Sequence, residues 1–130
     1  MPAKPSFTLF ISKSPYDSRN AESALIFCHA ALENGYAIKQ VFFYQSGVHN
    51  GSDYLCVNAD EVSVKDRWTQ LHRAYKVPLY LCVTAATRRG VLHELDNHNP
   101  RDNLSEAFEA VGMSEYFAAL HDKDVKSIQF

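Results

Sequence analysis

The chain has 130 residues, of which 46% are hydrophobic and 22% charged, and its formal net charge is -2. This length and composition are typical of one globular domain, residues 1–130, that folds without disulfides or metal. The charge argues against direct nucleic-acid binding, since such domains are usually clearly basic. No apolar run approaches the roughly 20 residues that cross a bilayer, and the first residues lack the apolar core of a secretion signal, so we expect a cytoplasmic protein without membrane contact.

The first half of the chain alternates apolar strands with an amphipathic helix. Residues 6–12 contain an apolar run that predicts a first strand, and residues 18–33 have apolar side chains at helical spacing. Asn34-Gly35 supplies the stop signal of that helix. Residues 37–44 predict a second strand, and residues 45–59, with two glycines and two asparagines, predict a loop.

The second half continues this alternation and predicts a layered α/β domain. The expected elements are a helix over 61–76, a short strand that Pro78 opens and Cys82 ends, a helix or turn from 84–87, a polar loop over 93–103, a helix over 104–111, a helix over 114–121 and a last strand over 125–130.

The strand that ends at Cys82 is where we expect chemistry. In open α/β sheets, ligands and reacting groups collect at the carboxyl ends of the strands. A helix beginning just beyond Cys82, together with Arg88 and Arg89, would favour its thiolate, which is the nucleophilic form of cysteine. The alternative is that Cys82 is an inert core thiol, since free cysteine is among the most buried residue types.

Five further residues are candidates for supporting this cysteine. Arg88 and Arg89 could steer an anionic group, although surface arginines are usually solvated or paired with carboxylates. Tyr16, Tyr44 and His49 follow strand ends that parallel neighbours would bring to the same edge. Each could equally serve packing, and only the His49 side chain could move a proton near neutral pH.

The other cysteines and the histidines give no sign of a metal or a disulfide. Cys28, Cys56 and Cys82 are separated by 28 and 26 residues, which matches neither a disulfide framework nor a paired zinc motif. The five histidines other than His49 also lack metal-ligand spacing. We therefore expect reduced thiols, no metal and no organic cofactor, with Cys28 in the core and Cys56 in a polar loop.

One alternative chemistry shares the same residues. The interval from Cys82 to Arg88 fits the spacing of cysteine phosphatases, in which a loop of backbone amides surrounds a phosphate. The fit is weak, because the intervening residues include no glycine and Arg89 stands where a hydroxyl residue normally follows the arginine.

Two sequence motifs resemble those of one known protein family. FFYQSGVHN at 42–50 and LCVTAATRRGV at 81–91, with a Ser-Pro-Tyr loop after the first strand and Trp68 in the second helix, resemble the DsrE/TusD family of sulfurtransferase subunits. The resemblance extends over nearly the whole chain. It implies a single-domain, three-layer α/β sandwich with a mostly parallel central sheet of about five strands.

The resemblance also implies a function. In that family, the cysteine matching Cys82 carries sulfur as a persulfide within a relay. One branch serves 2-thiolation of the tRNA wobble uridine, and the DsrE branch serves dissimilatory sulfur oxidation. TusD-like chains assemble with TusB-like and TusC-like subunits into heterohexamers, receive sulfur from a TusA-like donor and pass it to a TusE-like acceptor. A homo-oligomer is expected when such a chain is expressed alone.

Two departures from the family pattern bear on these expectations. His93 stands where many members have an acidic residue, which would change the charge of the site. Residues 110–113, AVGM, replace a usual Ser-Gly-Leu-Gly, and we expect this change to affect helix packing. A noncatalytic assembly subunit is a further alternative, but the presence of Cys82 argues against it.

Overall fold

The computed structural model describes residues 4–93 and 102–130. Its centre is a five-stranded sheet in the order β4-β3-β2-β1-β5, in which every neighbouring pair is parallel. The strands are β1 (Ser6–Ile11), β2 (Ala37–Phe43), β3 (Leu79–Cys82), β4 (Phe108–Val111) and β5 (Val125–Gln129). The predicted α/β class with a parallel sheet of about five strands is confirmed.

In the described part of the chain, four α-helices and one 3-10 helix connect these strands. The α-helices are α1 (Asn20–Glu33), α2 (Val64–Tyr75), α3 (Val83–Arg88) and α4 (Met113–Ala119). The 3-10 helix, Gln45–Gly51, lies in the region that the sequence predicted as a loop. None of the helices in the described ranges has the length and apolarity needed to span a bilayer.

Helices cover both faces of the sheet. Trp68 of α2 packs edge-on against Phe43 of β2, with ring centroids 5.2 Å apart. Tyr116 of α4 packs against the neighbouring Phe42 at 5.5 Å. Because successive strand residues point to opposite faces, these two contacts place α2 and α4 on opposite sides of the sheet. The predicted three-layer arrangement is confirmed.

The predicted helix over 104–111 is wrong. Leu104 forms an isolated antiparallel bridge with Ser52, and the chain then turns into β4. β4 pairs with β3 in a register that includes Leu79 opposite Phe108 and Cys82 opposite Val111. Backbone pairing with the free edge of β3 satisfies the N–H and C=O groups of this segment, so a tertiary contact overrides its weak helical pattern.

The 3-10 helix is held against the loop after β1 by a buried asparagine. The Asn50 Nδ2 donates to the Gly47 oxygen at 2.8 Å and to the Lys13 oxygen at 3.3 Å. The Trp68 Nε1 donates to the Asn50 Oδ1 at 3.2 Å. Both buried side chains thus have partners, and the segment that follows β2 is fixed relative to β1 and α2.

Candidate functional site

Cys82 lies where β3 ends and α3 begins. It is the last residue of the strand and the N-cap residue of α3, and its side chain makes no capping hydrogen bond. The residue is only 4% exposed. Its neighbours at this edge are the residues that follow β2 and β4, because both strands run parallel to β3.

A cavity of about 360 Å³ opens beside Cys82. Its walls come from the end of β2, from α3 and from the junction between β4 and α4. The lining residues are Tyr44, Gln45, Cys82, Thr84, Ala85, Arg88, Arg89, Gly112 and Met113. The structure therefore brings together four of the residues predicted from sequence, namely Cys82, Tyr44, Arg88 and Arg89.

The two arginines make this cavity cationic. Arg88 is exposed at the end of α3, and the half-buried Arg89 donates from its Nη1 to the Ala85 oxygen at 3.3 Å. Within residues 4–93 and 102–130, neither guanidinium forms an ion pair. Since no carboxylate is among the lining residues that the structure describes, the fixed charges of this part of the cavity favour an anionic sulfur group.

Tyr16 and His49 do not line this cavity. The Tyr16 side chain is 47% exposed, and its hydroxyl accepts from the Val64 backbone N–H at 3.5 Å, at the start of α2. β1 is separated from β3 by β2, so its exit lies about 10 Å from Cys82. His49 is half-buried in the 3-10 helix, one residue before the Asn50 that bonds to α2. Of the three residues that follow strand ends, only Tyr44 therefore lies at the Cys82 cavity as predicted.

Five cavity residues were not predicted from the sequence. Thr84 and Ala85 lie inside the motif that drew attention to Cys82, and Gln45 directly follows the predicted second strand. Gly112 and Met113 follow β4. Because that segment was predicted as a helix, the sequence did not place these two residues near Cys82. Within residues 110–113, Gly112 and Met113 belong to the wall of the site, and Val111 and Met113 also pack against the core. His93 lines a separate, smaller cavity against α3.

The phosphatase alternative is not supported by the backbone. Residues Val83–Arg88 form α3, so their amides point in parallel along the helix axis. A phosphate-binding loop instead requires its amides to converge on one anion. Cys82 and Arg88 also stand at opposite ends of α3, so they do not close such a loop.

The other two thiols differ sharply from Cys82. Cys28 is fully buried in α1, and burial raises the pKa of its thiol to about 12, so it stays protonated at neutral pH. Cys56 is exposed, and its Sγ lies 3.6 Å from the Tyr54 oxygen. In the part of the chain that the structure describes, no three His, Cys, Asp or Glu side chains are grouped closely enough to hold a metal ion.

The chain matches a known protein family along most of its length. The model of the DsrE/DsrF-like family matches residues 6–130. The chain belongs to the DsrE/DsrF-like family. Its fold is similar to that of the ychN protein from E. coli, with a TM-score of 0.77 at 17% identity, covering 97% of this chain and 99% of that one.

Several known proteins are similar to this chain along almost their full length. The sulfurtransferase TusD homolog of Vibrio vulnificus is 37% identical, covering 95% of this chain and 96% of the relative. The homolog of Pasteurella multocida is 35% identical, covering 91% and 94%. The sulfurtransferase TusD of Buchnera aphidicola is 32% identical, covering 95% and 98%. The predicted family and the predicted sulfurtransferase class are confirmed.

Proposed function

We propose that this chain is the subunit of a sulfur relay that carries a persulfide on Cys82. The observation that supports this proposal is the cavity itself. Of the three cysteines in the chain, Cys82 alone lines it, together with Arg88 and Arg89, and no carboxylate lines it among residues 4–93 and 102–130. An anionic sulfur at Cys82 would be stabilised there, whereas Cys28 lies sealed in the core.

The proposed reaction needs only a thiolate and a donor persulfide. The Cys82 thiolate attacks the outer sulfur of the donor persulfide, so a new S–S bond forms at Cys82 and the S–S bond of the donor breaks. The donor leaves as a thiolate, and no external oxidant or reductant is consumed. An acceptor thiolate then attacks the outer sulfur on Cys82, which restores the Cys82 thiolate.

We assign the relay to tRNA thiolation rather than to sulfur oxidation. The relatives that cover most of the chain carry the name TusD. The family resemblance then implies a TusA-like donor and a TusE-like acceptor in the cytoplasm. The final product would be the 2-thiolated wobble uridine of tRNA, made without direct contact between this chain and the nucleic acid.

We also propose that the chain works in a heterohexamer with TusB-like and TusC-like subunits. Large aromatic side chains remain on the surface: Tyr54 is 59% exposed, Phe117 53% and Tyr75 42%. Aromatic residues are enriched at interfaces. Light scattering of the chain alone and with both partner chains tests this assembly, and a monomer under both conditions would contradict it.

The central test is sulfur loading. The chain is incubated with a cysteine desulfurase, cysteine and a TusA-like carrier, and intact mass and peptide mass are measured. We expect the wild type to gain one sulfur atom on the peptide that contains Cys82. Cys82→Ser should gain none, whereas Cys56→Ser, which removes the exposed thiol, should load at the wild-type rate. Loading of Cys82→Ser together with loss in Cys56→Ser would show that the wrong thiol is assigned.

A further inference from the structure

Gln45 has an unusual backbone conformation for its residue type. Its φ is +51°, in a region that favours glycine. The Gly47 N–H donates to the Tyr44 oxygen at 2.9 Å and closes a turn in which Gln45 is the first central residue. Positive φ at that position alone is the pattern of type II′ turns, where glycine is the usual residue.

The second such residue in the described ranges has an ordinary explanation. Lys76, with φ +59°, is the C-cap of α2, and its backbone N–H donates to the His72 oxygen. Left-handed residues commonly end helices in this way. Gln45 instead begins the 3-10 helix. The left-handed conformation of Gln45 costs about 1–3 kcal/mol that a glycine would avoid, and such conformations cluster at active sites and ligand-binding sites.

Gln45 lies at the Cys82 cavity. It is exposed to solvent and lines the cavity, and none of the described residues forms a hydrogen bond to its amide, so the amide is available to a group bound there. An amide NH₂ group has two donors, and a persulfide anion carries its charge on the outer sulfur. Arg89 already donates to the Ala85 oxygen, so Gln45 adds a neutral donor from the opposite wall, at the end of β2.

We propose that Gln45 is a binding residue for the transferred sulfur, with its side-chain amide donating a hydrogen bond to the outer sulfur of the Cys82 persulfide. This inference rests on the proposed persulfide function. The hydrogen bond develops as the outer sulfur becomes bonded to Cys82, so it stabilises both the transfer and the loaded state. The strain at Gln45 is then the consequence of directing a donor into the cavity from a turn that suits glycine.

The test compares variants that separate the amide from the backbone strain. Gln45→Met keeps the length of the side chain and removes the donor, and Gln45→Glu replaces the donor with a negative charge. We expect sulfur loading of Cys82 to slow about tenfold in Gln45→Met, as for loss of one hydrogen bond to a charged group, and further in Gln45→Glu. Gln45→Gly should raise the urea midpoint of unfolding while slowing loading as much as Gln45→Met.

Lys76→Gly is the matched control, because it relieves the same kind of strain away from the cavity. It should raise the urea midpoint and leave loading at the wild-type rate. Wild-type loading in Gln45→Met and Gln45→Glu, with urea curves that show both variants folded, would overturn the role of Gln45 and leave Cys82 as the carrier. If the wild type itself gains no sulfur on Cys82, the proposed function fails, and the role of Gln45 fails with it.

Discussion

Replacing Gly47 with alanine should destabilise the protein by forcing the 3-10 helix away from the end of β1. A Cβ at this position would lie 2.1 Å from the Ile11 carbonyl oxygen, 2.9 Å from the Ile11 carbonyl carbon and 3.3 Å from the Ser12 Cα. All three atoms belong to the backbone, so no side-chain rotation relieves the contact. The 3-10 helix must move away from the end of β1 by roughly 1 Å before the Cβ fits.

The size of the loss in unfolding free energy follows from the contacts that this movement disrupts. The Ile11 oxygen accepts the Tyr44 N–H at 2.9 Å, and this bond joins the end of β1 to the chain that follows β2. Overpacking in a tight interior costs about 1–3 kcal/mol, and a weakened hydrogen bond adds about 1 kcal/mol. We therefore expect Gly47→Ala to lower the free energy of unfolding by about 2–4 kcal/mol.

Urea denaturation at neutral pH measures this loss, with Gly112→Ala as the control. Gly112 lines the cavity, and a Cβ there meets nothing closer than the Ser114 Oγ at 3.6 Å, an ordinary contact. Because Gly112 is the N-cap residue of α4, where alanine is less favourable than glycine, Gly112→Ala should cost no more than about 1 kcal/mol. A similarly small change in Gly47→Ala would refute the close approach of the 3-10 helix to β1, and with it the position of Tyr44.

Three further predictions concern the thiols, the arginines and the buried polar contact. Burial raises the pKa of Cys28 from 9.0 to about 12, so between these values only the unfolded chain releases the thiol proton. The stability that the buried thiol contributes is therefore complete below pH 9 and is lost as pH rises toward 12. The difference in unfolding free energy between wild type and Cys28→Ala should therefore shrink by roughly 1.4 kcal/mol from about pH 8 to about pH 10, and a pH-independent difference would show that Cys28 titrates normally. The two guanidiniums should attract anions to the cavity, so the ratio of the iodoacetate rate to the iodoacetamide rate at Cys82, measured by peptide mass, should fall in a variant with Arg88→Gln and Arg89→Gln. An unchanged ratio would show that the arginines do not attract anions to Cys82. Trp68→Phe leaves the Asn50 Oδ1 buried without its donor and should cost about 1–3 kcal/mol in urea denaturation. A loss under about 0.5 kcal/mol would contradict the hydrogen bond between these two side chains.

The sequence by itself determined most of the elements and the reacting residue. β1, β2, β3 and β5 are apolar runs bounded by turn residues, and α1 and α2 repeat apolar side chains at helical spacing, so local patterns predict them. Cys82, Arg88 and Arg89 are close along the chain, and the short helix α3 keeps them together. Their meeting in one cavity therefore depends little on the rest of the fold.

Only the tertiary structure decided what else surrounds Cys82. β4 has four residues and no clear periodicity, and it becomes a strand because β3 offers a free edge. That pairing brings Gly112 and Met113 to the cavity, and the β2–β3 pairing brings Tyr44 and Gln45. Contacts between residues distant in sequence depend on strand order, which no local pattern contains. The same order moves the loop after β1 away from Cys82, which is why Tyr16 lies outside the site.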